Sequence, residues 1–270
     1  MSTEPSIQPD PLRSTRKVRV GAIDVFSLRE TELVRIVEQS WRLKKGGWIV
    51  TANVDIVRAA TRDVRLAALV AEADVVVADG MPVVWAGRLA GERLPERVTG
   101  ASLVFSLTEA AAREGRSIYL LGGEPGVPEA AGRALTERFG GLVVAGTHSP
   151  PFGFEESADG VAAIAREVAM AKPDLVLVGL GFPKQEHTIQ QLRVMLPDSW
   201  FIGCGAGIPM AAGEFTRAPT AMQRMGAEWL HRLALEPKRL ARRYLLEDAP
   251  FALRLLAGAA RHRISAKPGD

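Results

Sequence analysis

Short apolar runs alternate with longer, more polar segments through the first two hundred residues of the chain. The runs contain four or five residues each and are rich in valine, isoleucine and leucine, which predicts buried strands. Strands are expected at residues 47–50, 75–78, 117–121, 142–146, 175–179 and 200–203. The intervening segments are rich in alanine, arginine, glutamate and leucine, and they predict helices at residues 61–71, 102–114, 128–139, 156–171 and 184–196.

This alternation predicts the fold class. A strand followed by a helix of about twelve residues and a second strand is typical of parallel strands joined by right-handed crossovers. The predicted strands are apolar along their whole length, which indicates that helices cover both faces of the sheet. The sequence therefore predicts an α/β fold, with a Rossmann-like parallel or mixed sheet flanked by helices.

The pattern changes after Thr216, where the predicted strands end. The apolar residues that follow fall close to one helical face, with a kink expected at Glu236-Pro237 because proline interrupts helical hydrogen bonding. Basic residues are interleaved with them, so the segment is either an amphipathic appendage that docks on a membrane surface or an ordinary packing extension. The predicted organisation is a disordered leader at residues 1–16, a Rossmann-like core at 17–216, a basic helical appendage at 217–263 and a disordered tail at 264–270.

Composition supports one large α/β domain with an appendage. The chain has 270 residues, of which 47% are hydrophobic and 24% charged. The single cysteine, Cys204, excludes an intramolecular disulfide and fits a reducing cytosol. No apolar run reaches the ~18–20 residues that a bilayer-spanning helix requires, and the polar N-terminus does not read as a signal peptide.

Charge is distributed unevenly along the chain. Residues 201–270 contain 11 basic and 6 acidic residues, a net charge of +5, whereas residues 1–200 contain 23 and 25, a net charge of −2. A near-neutral body with a basic C-terminal quarter indicates an anionic partner for that quarter. Nucleic acid, anionic lipid and a phosphorylated substrate all satisfy this requirement.

Polar side chains stand where two of the predicted strands end. Asp79 follows the valine-rich strand at 75–78, and Arg97 lies in the next turn. Ligands of open α/β sheets bind beyond the C-terminal ends of the strands, so Asp79 is a candidate general base and Arg97 a candidate anion contact. Thr51 and Asn53 end the first strand and are suited to orienting a sugar hydroxyl. Helix capping is the alternative for both Asp79 and Asn53.

Two further strand ends carry glycine-rich turns. Gly122 and Gly123 would let the backbone approach a phosphate at a helix N-terminus, although their spacing does not match a dinucleotide fingerprint. Gly181 precedes a polar cluster that is dense for a structural turn, although a plain tight turn explains the glycine equally well. That cluster consists of Lys184, Gln185 and Glu186.

Several other chemistries have no support in the sequence. The four histidines lack the close spacing of a zinc site. The chain contains no G-x-S-x-G elbow, no Walker A loop and no D-x-D pair for a divalent ion. We therefore expect neither a metal nor a cofactor.

Taken together, the chain resembles the WecG/TagA/CpsF glycosyltransferase family of bacterial cell-envelope polysaccharide synthesis. The resemblance rests on five blocks and extends over roughly residues 17–260. The blocks are T-A-N-V-D-I-V from Thr51, A-D-G-M-P-V-V-W from Ala78, L-P-E-R-V-T-G from Leu94, G-L-G-F-P-K-Q-E from Gly179 and A-G-E-F-T-R-A-P from Ala212.

The resemblance implies an inverting, metal-independent transferase on the cytoplasmic face of the cell membrane. Such an enzyme moves a sugar from a UDP-sugar to a polyprenyl-diphosphate-linked saccharide, with Asp79 as the base. The appendage would dock on the anionic inner membrane surface and contribute arginines to the site, and self-association as a homo-oligomer is also suggested. The predicted catalytic residues are Asp79, Thr51, Asn53 and Arg97, and the predicted substrate-binding residues are Gly122, Gly123, Gly181, Lys184, Gln185, Glu186, Arg232, Arg239 and Arg242.

The chain departs from the family pattern at two places. Ile208-Pro209 stands where members often carry Phe-Asp, and Pro150-Pro151-Phe152 stands where an aromatic pair is common. Both departures lie near the expected donor side. The alternative function is a nucleotide- or nucleic-acid-binding Rossmann-like module with a basic tail, which predicts binding that weakens steeply with salt. That alternative gives no reason for the polar residues at the strand ends, so no nucleic-acid partner is expected.

Overall fold

The computed structural model describes residues 11–214, 218–219, 222, 228–235 and 237–265. The strands are β1 Lys17–Val20, β2 Ile23–Phe26, β3 Gly47–Ala52, β4 Val75–Ala78, β5 Ser117–Gly122, β6 Val143–His148, β7 Leu175–Gly179 and β8 Trp200–Gly203. The helices of the core are α1 Pro11–Ser14, α2 Glu30–Arg42, α3 Val54–Arg62, α4 Val64–Ala71, α5 Met81–Leu89, α6 Gly100–Arg113, α7 Val127–Arg138, α8 Ala158–Ala171, α9 Lys184–Met195 and α10 Gly207–Ala211.

Six strands form one sheet in the order β4-β3-β8-β7-β5-β6, and every neighbouring pair is parallel. The predicted α/β class is confirmed, and the sheet is parallel rather than mixed. Because all six strands run the same way, their C-terminal ends meet at one edge of the sheet. That edge carries the predicted site.

Helices cover both faces of the sheet, as the apolar strands predict. On one face, α3, α4, α5, α8 and α9 pack against Trp48, Val50 and Phe201. On the other face, α2, α6, α7 and α10 pack against Trp200 and Ile202. The indole nitrogen of Trp200 donates to the carbonyl of Lys45 at 3.1 Å, so this buried polar group is satisfied.

The sequence-based prediction lacks several elements, among them the N-terminal strands and α2. Strands β1 and β2 form an antiparallel hairpin whose inward residues join the core of the α3 face, and α2 covers the opposite face. The predicted helix at 61–71 is also wrong at its start, because Asp63 adopts an extended conformation that ends α3, and its side chain accepts a hydrogen bond from Arg65 to cap α4. Residues 11–14, within the predicted leader, form α1.

Four helices are described in the C-terminal segment. They are α11 Glu228–Leu235, α12 Pro237–Ala241, a π-helix Arg242–Asp248 and α13 Ala249–Ser265. Helix α12 begins at Pro237, where the sequence predicts a kink. Helix α13 packs along α5 and inserts Phe251 and Leu255 against the core. No helix in the described part of the chain is long and apolar enough to cross a bilayer.

Candidate active site

Asp79 lies directly beyond the C-terminal end of β4. Its N–H donates to the carbonyl of Ala52 at 2.9 Å, which fixes the turn against β3. The capping alternative is wrong for the helix that follows, because Gly80, with φ of 148°, is the N-cap of α5. The Asp79 carboxylate instead accepts the N–H of Gly100, the first residue of α6, at 3.2 Å. It is therefore half-buried at a helix N-terminus, where negative charge is favoured.

Thr51 lies beside the same helix N-terminus. Its hydroxyl donates to the carbonyl of Gly203, at the end of β8, over 3.3 Å. A Cβ placed on Gly100 would lie 3.1 Å from both Thr51 Oγ1 and the Cα of Cys204. A glycine at the first position of α6 thus lets the helix approach β3 and β8 closely, with Asp79 and Thr51 on either side of it.

Asn53 is the N-cap of α3. Its Oδ1 accepts the N–H of Ile56 at 3.0 Å, so the capping alternative is confirmed for this residue. The side chain is exposed at the same edge of the sheet as Asp79 and Thr51. Capping and substrate contact are compatible here, because the carbonyl oxygen caps while the amide nitrogen carries two further donors.

Gln185 joins two of the loops at the C-terminal edge of the sheet. The buried carboxamide accepts the N–H of Gly181 at 3.2 Å and the N–H of Gly205 at 3.3 Å. Its Nε2 donates to Glu186 Oε1 at 2.9 Å. A Cβ on Gly203 would lie only 2.4 Å from that nitrogen, so β8 must end in glycine for the side chain to fit.

Glu186 has the most strongly perturbed carboxyl group near the site. Its side chain is fully buried, and burial raises its pKa to about 7. Oε2 has no hydrogen-bond partner among the described residues. The predicted substrate-binding role is corrected in one respect: a side chain without exposed surface cannot contact a substrate in this conformation. What it does contact is the amide of Gln185.

Lys184 and the paired glycines lie further along the same edge. Lys184 pairs with Glu155, and its ammonium lies 5.4 Å from the ring centroid of Phe152. The Phe152 side chain is 98% exposed. Gly122 and Gly123 both have positive φ, and a Cβ on Gly122 would lie 2.6 Å from the carbonyl oxygen of Gly179. Glycine is therefore required where β5 ends beside β7.

Arg97 contacts the C-terminal segment. Its Nη2 lies 2.8 Å from Glu228 Oε2 on α11, and the two side chains are only 14% and 11% exposed. The N–H of Val98 donates to the carbonyl of Ala78 at 2.8 Å, which fixes the loop that carries Arg97 beside β4. The sequence pattern predicts an anion contact for Arg97, and in this structure the anion is the carboxylate of Glu228.

A second group of charges connects the C-terminal segment to the core. Arg58 of α3 pairs with Asp55, with Glu247 and with Asp248. Burial, together with the nearby Asp55, raises the pKa of Asp248 to about 6. Sequence reasoning missed the pairs of Arg58 with Glu247 and Asp248 and the pair of Arg97 with Glu228, because partners far apart in sequence share no local pattern.

The appendage arginines are described only in part. Arg242 is exposed on the π-helix. The side chains of Arg232 and Arg239 lie outside the described part of the structure, so their predicted contacts with the site remain predictions.

A continuous set of contacts connects three of the predicted site residues through two glycines. The residues in contact are Asp79, Gly100, Thr51, Gly203 and Gln185. They stand at the ends of four neighbouring strands, with Asn53 exposed at the same edge. A carboxylate at an accessible strand end, beside a hydroxyl and a helix N-terminus, can accept a proton from a bound alcohol.

Comparison with known proteins identifies the family. The model of the "Glycosyl transferase WecG/TagA/CpsF family" matches residues 18–265. A Bacillus spizizenii protein named N-acetylglucosaminyldiphosphoundecaprenol N-acetyl-beta-D-mannosaminyltransferase is 31% identical over 250 residues, which cover 92% of this chain and 93% of that protein. A Staphylococcus aureus protein of the same name is 29% identical over 256 residues, which cover 94% and 97%. The chain therefore belongs to the WecG/TagA/CpsF family, and the protein is a glycosyltransferase.

Proposed function

We propose that the protein transfers an N-acetylhexosamine from a UDP-sugar to a polyprenyl-diphosphate-linked saccharide, with inversion and without a metal, in cell-envelope polysaccharide synthesis. The relatives' names support N-acetylmannosamine as the sugar and N-acetylglucosaminyl-diphosphoundecaprenol as the acceptor. The observation that carries the proposal is the position of Asp79, held by Gly100 at the N-terminus of α6 and beside Thr51.

Asp79 acts as the general base. It takes the proton of the acceptor hydroxyl while that oxygen forms a bond to the anomeric carbon, on the side opposite the bond to the departing UDP. A positioned base of this kind contributes ~10²–10⁴-fold to the rate. The exposed Asn53 lies where its amide can orient a sugar hydroxyl. The buried Thr51 bonds the end of β8, and Gln185 fixes the loops that follow β7 and β8.

The departing diphosphate gains negative charge as its bond to the sugar breaks. Backbone N–H groups at the glycine turn of Gly122 and Gly123 can meet that charge, together with the side chain of Lys184. The N–H of Gly181 is held by Gln185. Guanidinium groups of the appendage supply bidentate contacts to phosphate. The proposed donors of these contacts are Arg232, Arg239 and Arg242, whereas Arg97 of the core is paired with Glu228.

Asp79→Asn tests the proposal, with Asp198→Asn as the control. Asp198 is exposed before β8, at the opposite edge of the sheet. UDP release is followed with a UDP-N-acetylhexosamine and a short-chain polyprenyl-diphosphate-linked acceptor. We expect the rate of the Asp79 variant to fall by at least about 10²-fold, with an unchanged circular dichroism spectrum, while the control keeps wild-type rates. Near-wild-type transfer by the Asp79 variant would refute the assignment.

The remaining expectations belong to the same proposal. The core at residues 17–216 carries the site, and the appendage at 217–263 holds the enzyme peripherally on the anionic cytoplasmic face of the membrane. A chain ending at Thr216 should then be inactive, and the full chain should not bind nucleic acid with the steep salt dependence of a phosphate-backbone contact. The chain is also expected to self-associate as a homo-oligomer, which sedimentation velocity measures.

A further inference from the structure

Glu186 carries a carboxyl group in a position where packing does not require one. It is the third residue of α9, and its side chain is fully buried. Negative charge is favoured in the first turn of a helix, but that preference does not call for burial. Burying a carboxyl group costs stability unless its oxygens find partners, and Oε2 has none among the described residues. An apolar side chain of similar size would avoid this cost, so another interaction must account for the glutamate.

That interaction is the contact of Glu186 with the carboxamide of Gln185. Oε1 of Glu186 accepts a hydrogen from Gln185 Nε2 at 2.9 Å. The carboxamide oxygen accepts the N–H groups of Gly181, at 3.2 Å, and of Gly205, at 3.3 Å. A flipped carboxamide would direct its NH₂ group at two N–H donors and its oxygen at the carboxyl oxygen. The three partners together therefore select one orientation, and Glu186 supplies the acceptor.

The end of β8 connects the carboxamide to the proposed base. A Cβ on Gly203 would lie 2.4 Å from Gln185 Nε2, so the carboxamide packs directly against the last residue of that strand. Cys204 follows, and a Cβ on Gly100 would lie 3.1 Å from its Cα. The N–H of Gly100 donates to the carboxylate of Asp79 at 3.2 Å. A displaced carboxamide would therefore shift the chain that packs against the helix N-terminus holding the base.

We propose that Glu186 is a positioning residue of the transfer reaction: it orients Gln185, which holds the end of β8 in the arrangement that places Asp79 against the acceptor hydroxyl. The inference rests on the proposed function, in which Asp79 is the base. Glu186 acts without touching a substrate, because its side chain has no exposed surface. The contact requires an acceptor rather than a negative charge, so a glutamine carboxamide at the same position can also supply it.

Glu186→Met and Glu186→Gln separate the acceptor from the volume of the side chain. Methionine fills a similar space without an acceptor of comparable strength, whereas glutamine keeps one. Steady-state transfer is measured with a UDP-N-acetylhexosamine and a short-chain polyprenyl-diphosphate-linked acceptor. We expect kcat of the methionine variant to fall at least about tenfold with little change in the donor KM, because a small displacement of a catalytic group costs up to about 10²-fold in rate. The glutamine variant should retain kcat. Wild-type kcat in the methionine variant, or an equal fall in both variants, would overturn the proposal.

Thr188→Val is the matched control for the loss of a buried polar group from the same helix. Thr188 is buried two residues further along α9, and its hydroxyl donates to the carbonyl of Lys184 at 2.9 Å. Valine has nearly the same shape and lacks the hydroxyl, so the control removes a hydrogen bond that does not involve Gln185. We expect its kcat to match that of the wild type. A fall as large as that of Glu186→Met would show that any disturbance of α9 slows the enzyme, and the positioning role would be wrong.

Exchanging the two side chains tests the route through Gln185, and does so even if the methionine variant fails to fold. Gln185→Glu alone places two carboxyl groups in one buried contact, which disfavours their ionisation, and kcat should fall. Adding Glu186→Gln restores a donor and an acceptor. One oxygen of the introduced carboxylate can accept the two glycine N–H groups, and the other can accept from the introduced amide. We expect the double variant to transfer faster than Gln185→Glu alone. A double variant that is no faster would contradict the proposed route.

Amide hydrogen exchange, followed by NMR without donor or acceptor, tests the contact independently of the reaction. The N–H groups of Gly181 and Gly205 should exchange about tenfold faster in Glu186→Met than in the wild type, which corresponds to the loss of about one hydrogen bond. Thr188→Val should leave both rates unchanged. Faster exchange in Glu186→Met, combined with a wild-type protein that transfers no N-acetylhexosamine, would refute the proposed function and leave the contact standing. Wild-type transfer combined with unchanged exchange and unchanged kcat in Glu186→Met would overturn the positioning role alone.

Discussion

Replacing Glu186 by glutamine removes a titratable group from the protein interior and keeps its shape. The wild-type carboxyl is fully buried, and burial raises its pKa to about 7. Its Oε1 accepts the Nε2 hydrogen of Gln185 at 2.9 Å, and the carboxamide oxygen of a glutamine can accept the same hydrogen. The substitution therefore changes the charge at this position and leaves the packing nearly unchanged.

The sign of the effect follows from proton binding. The ordinary glutamate pKa is 4.5, so between pH 4.5 and about 7 the folded protein holds a proton that the unfolded chain releases. The contribution of Glu186 to the free energy of unfolding is therefore greatest below pH 4.5 and is lost as the pH rises towards the folded-state pKa of about 7. Each pKa unit corresponds to about 1.4 kcal/mol, so the total loss is about 3 kcal/mol. The Glu186→Gln variant does not lose this stability, because its side chain does not titrate.

Urea unfolding of the wild type and of Glu186→Gln measures the difference directly. Across the range from about pH 5 to about pH 8.5, the variant should gain about 2–3 kcal/mol relative to the wild type. Because both proteins contain all the other titratable groups, including Asp248, the contributions of those groups cancel in the difference between wild type and variant. Glu137→Gln, at an exposed position on α7, is the matched control and should follow the wild type at every pH. A wild-type-to-variant difference that stays constant with pH would refute the reasoning, because the carboxyl would then be ionised at no cost.

Further substitutions test three single contacts. Asn53→Ala should lower the free energy of unfolding by about 1 kcal/mol, because α3 loses its cap. Asn53→Asp keeps the cap, so a fall in the transfer rate of the Asp variant would identify a substrate contact. Gly203→Ala should cost about 1–3 kcal/mol in urea unfolding, because its Cβ would lie 2.4 Å from a buried side-chain nitrogen; Gly140→Ala, with open space around it, should be neutral. A double-mutant cycle of Glu228→Ala and Arg97→Ala should give a coupling of at least about 1 kcal/mol, and independent effects would contradict a direct pair.

The parallel sheet was predictable because five of its six strands are buried apolar runs, and the edge strand β6 is only partly buried. The ends of the sheet strands differ from the predicted ends by at most two residues. Strand β6, for example, begins at Val143 and continues to His148. The hairpin was missed although its signal is present: apolar and polar residues alternate on either side of a turn at Gly21, which has positive φ. Helix α2 likewise carries Leu33, Ile36 and Val37 at helical spacing.

The sequence predicts which residues of the site lie at strand ends, but not what each of them contacts. Asp79, Thr51 and Gln185 follow apolar runs, and parallel topology alone brings them to one edge. The roles within the site depend on tertiary contacts that carry no local signal. A dense polar cluster suggested that Glu186 faces a ligand, whereas the fold turns it inward against Gly203. Similarly, the anion that meets Arg97 is 131 residues away in sequence.

The ion pairs between core and C-terminal segment are placed where they affect the geometry of the site. Arg97 lies three residues before Gly100, which holds the carboxylate of Asp79, and pairs with Glu228 of α11. Arg58 lies on α3, the helix that Asn53 caps, and pairs with the π-helix. Buried ion pairs contribute little net stability, but breaking one is costly, so they favour a single docked arrangement. Both segments that present the proposed catalytic side chains are thus positioned by the same C-terminal helices, and a shift of those helices would displace Asn53 and Asp79 together.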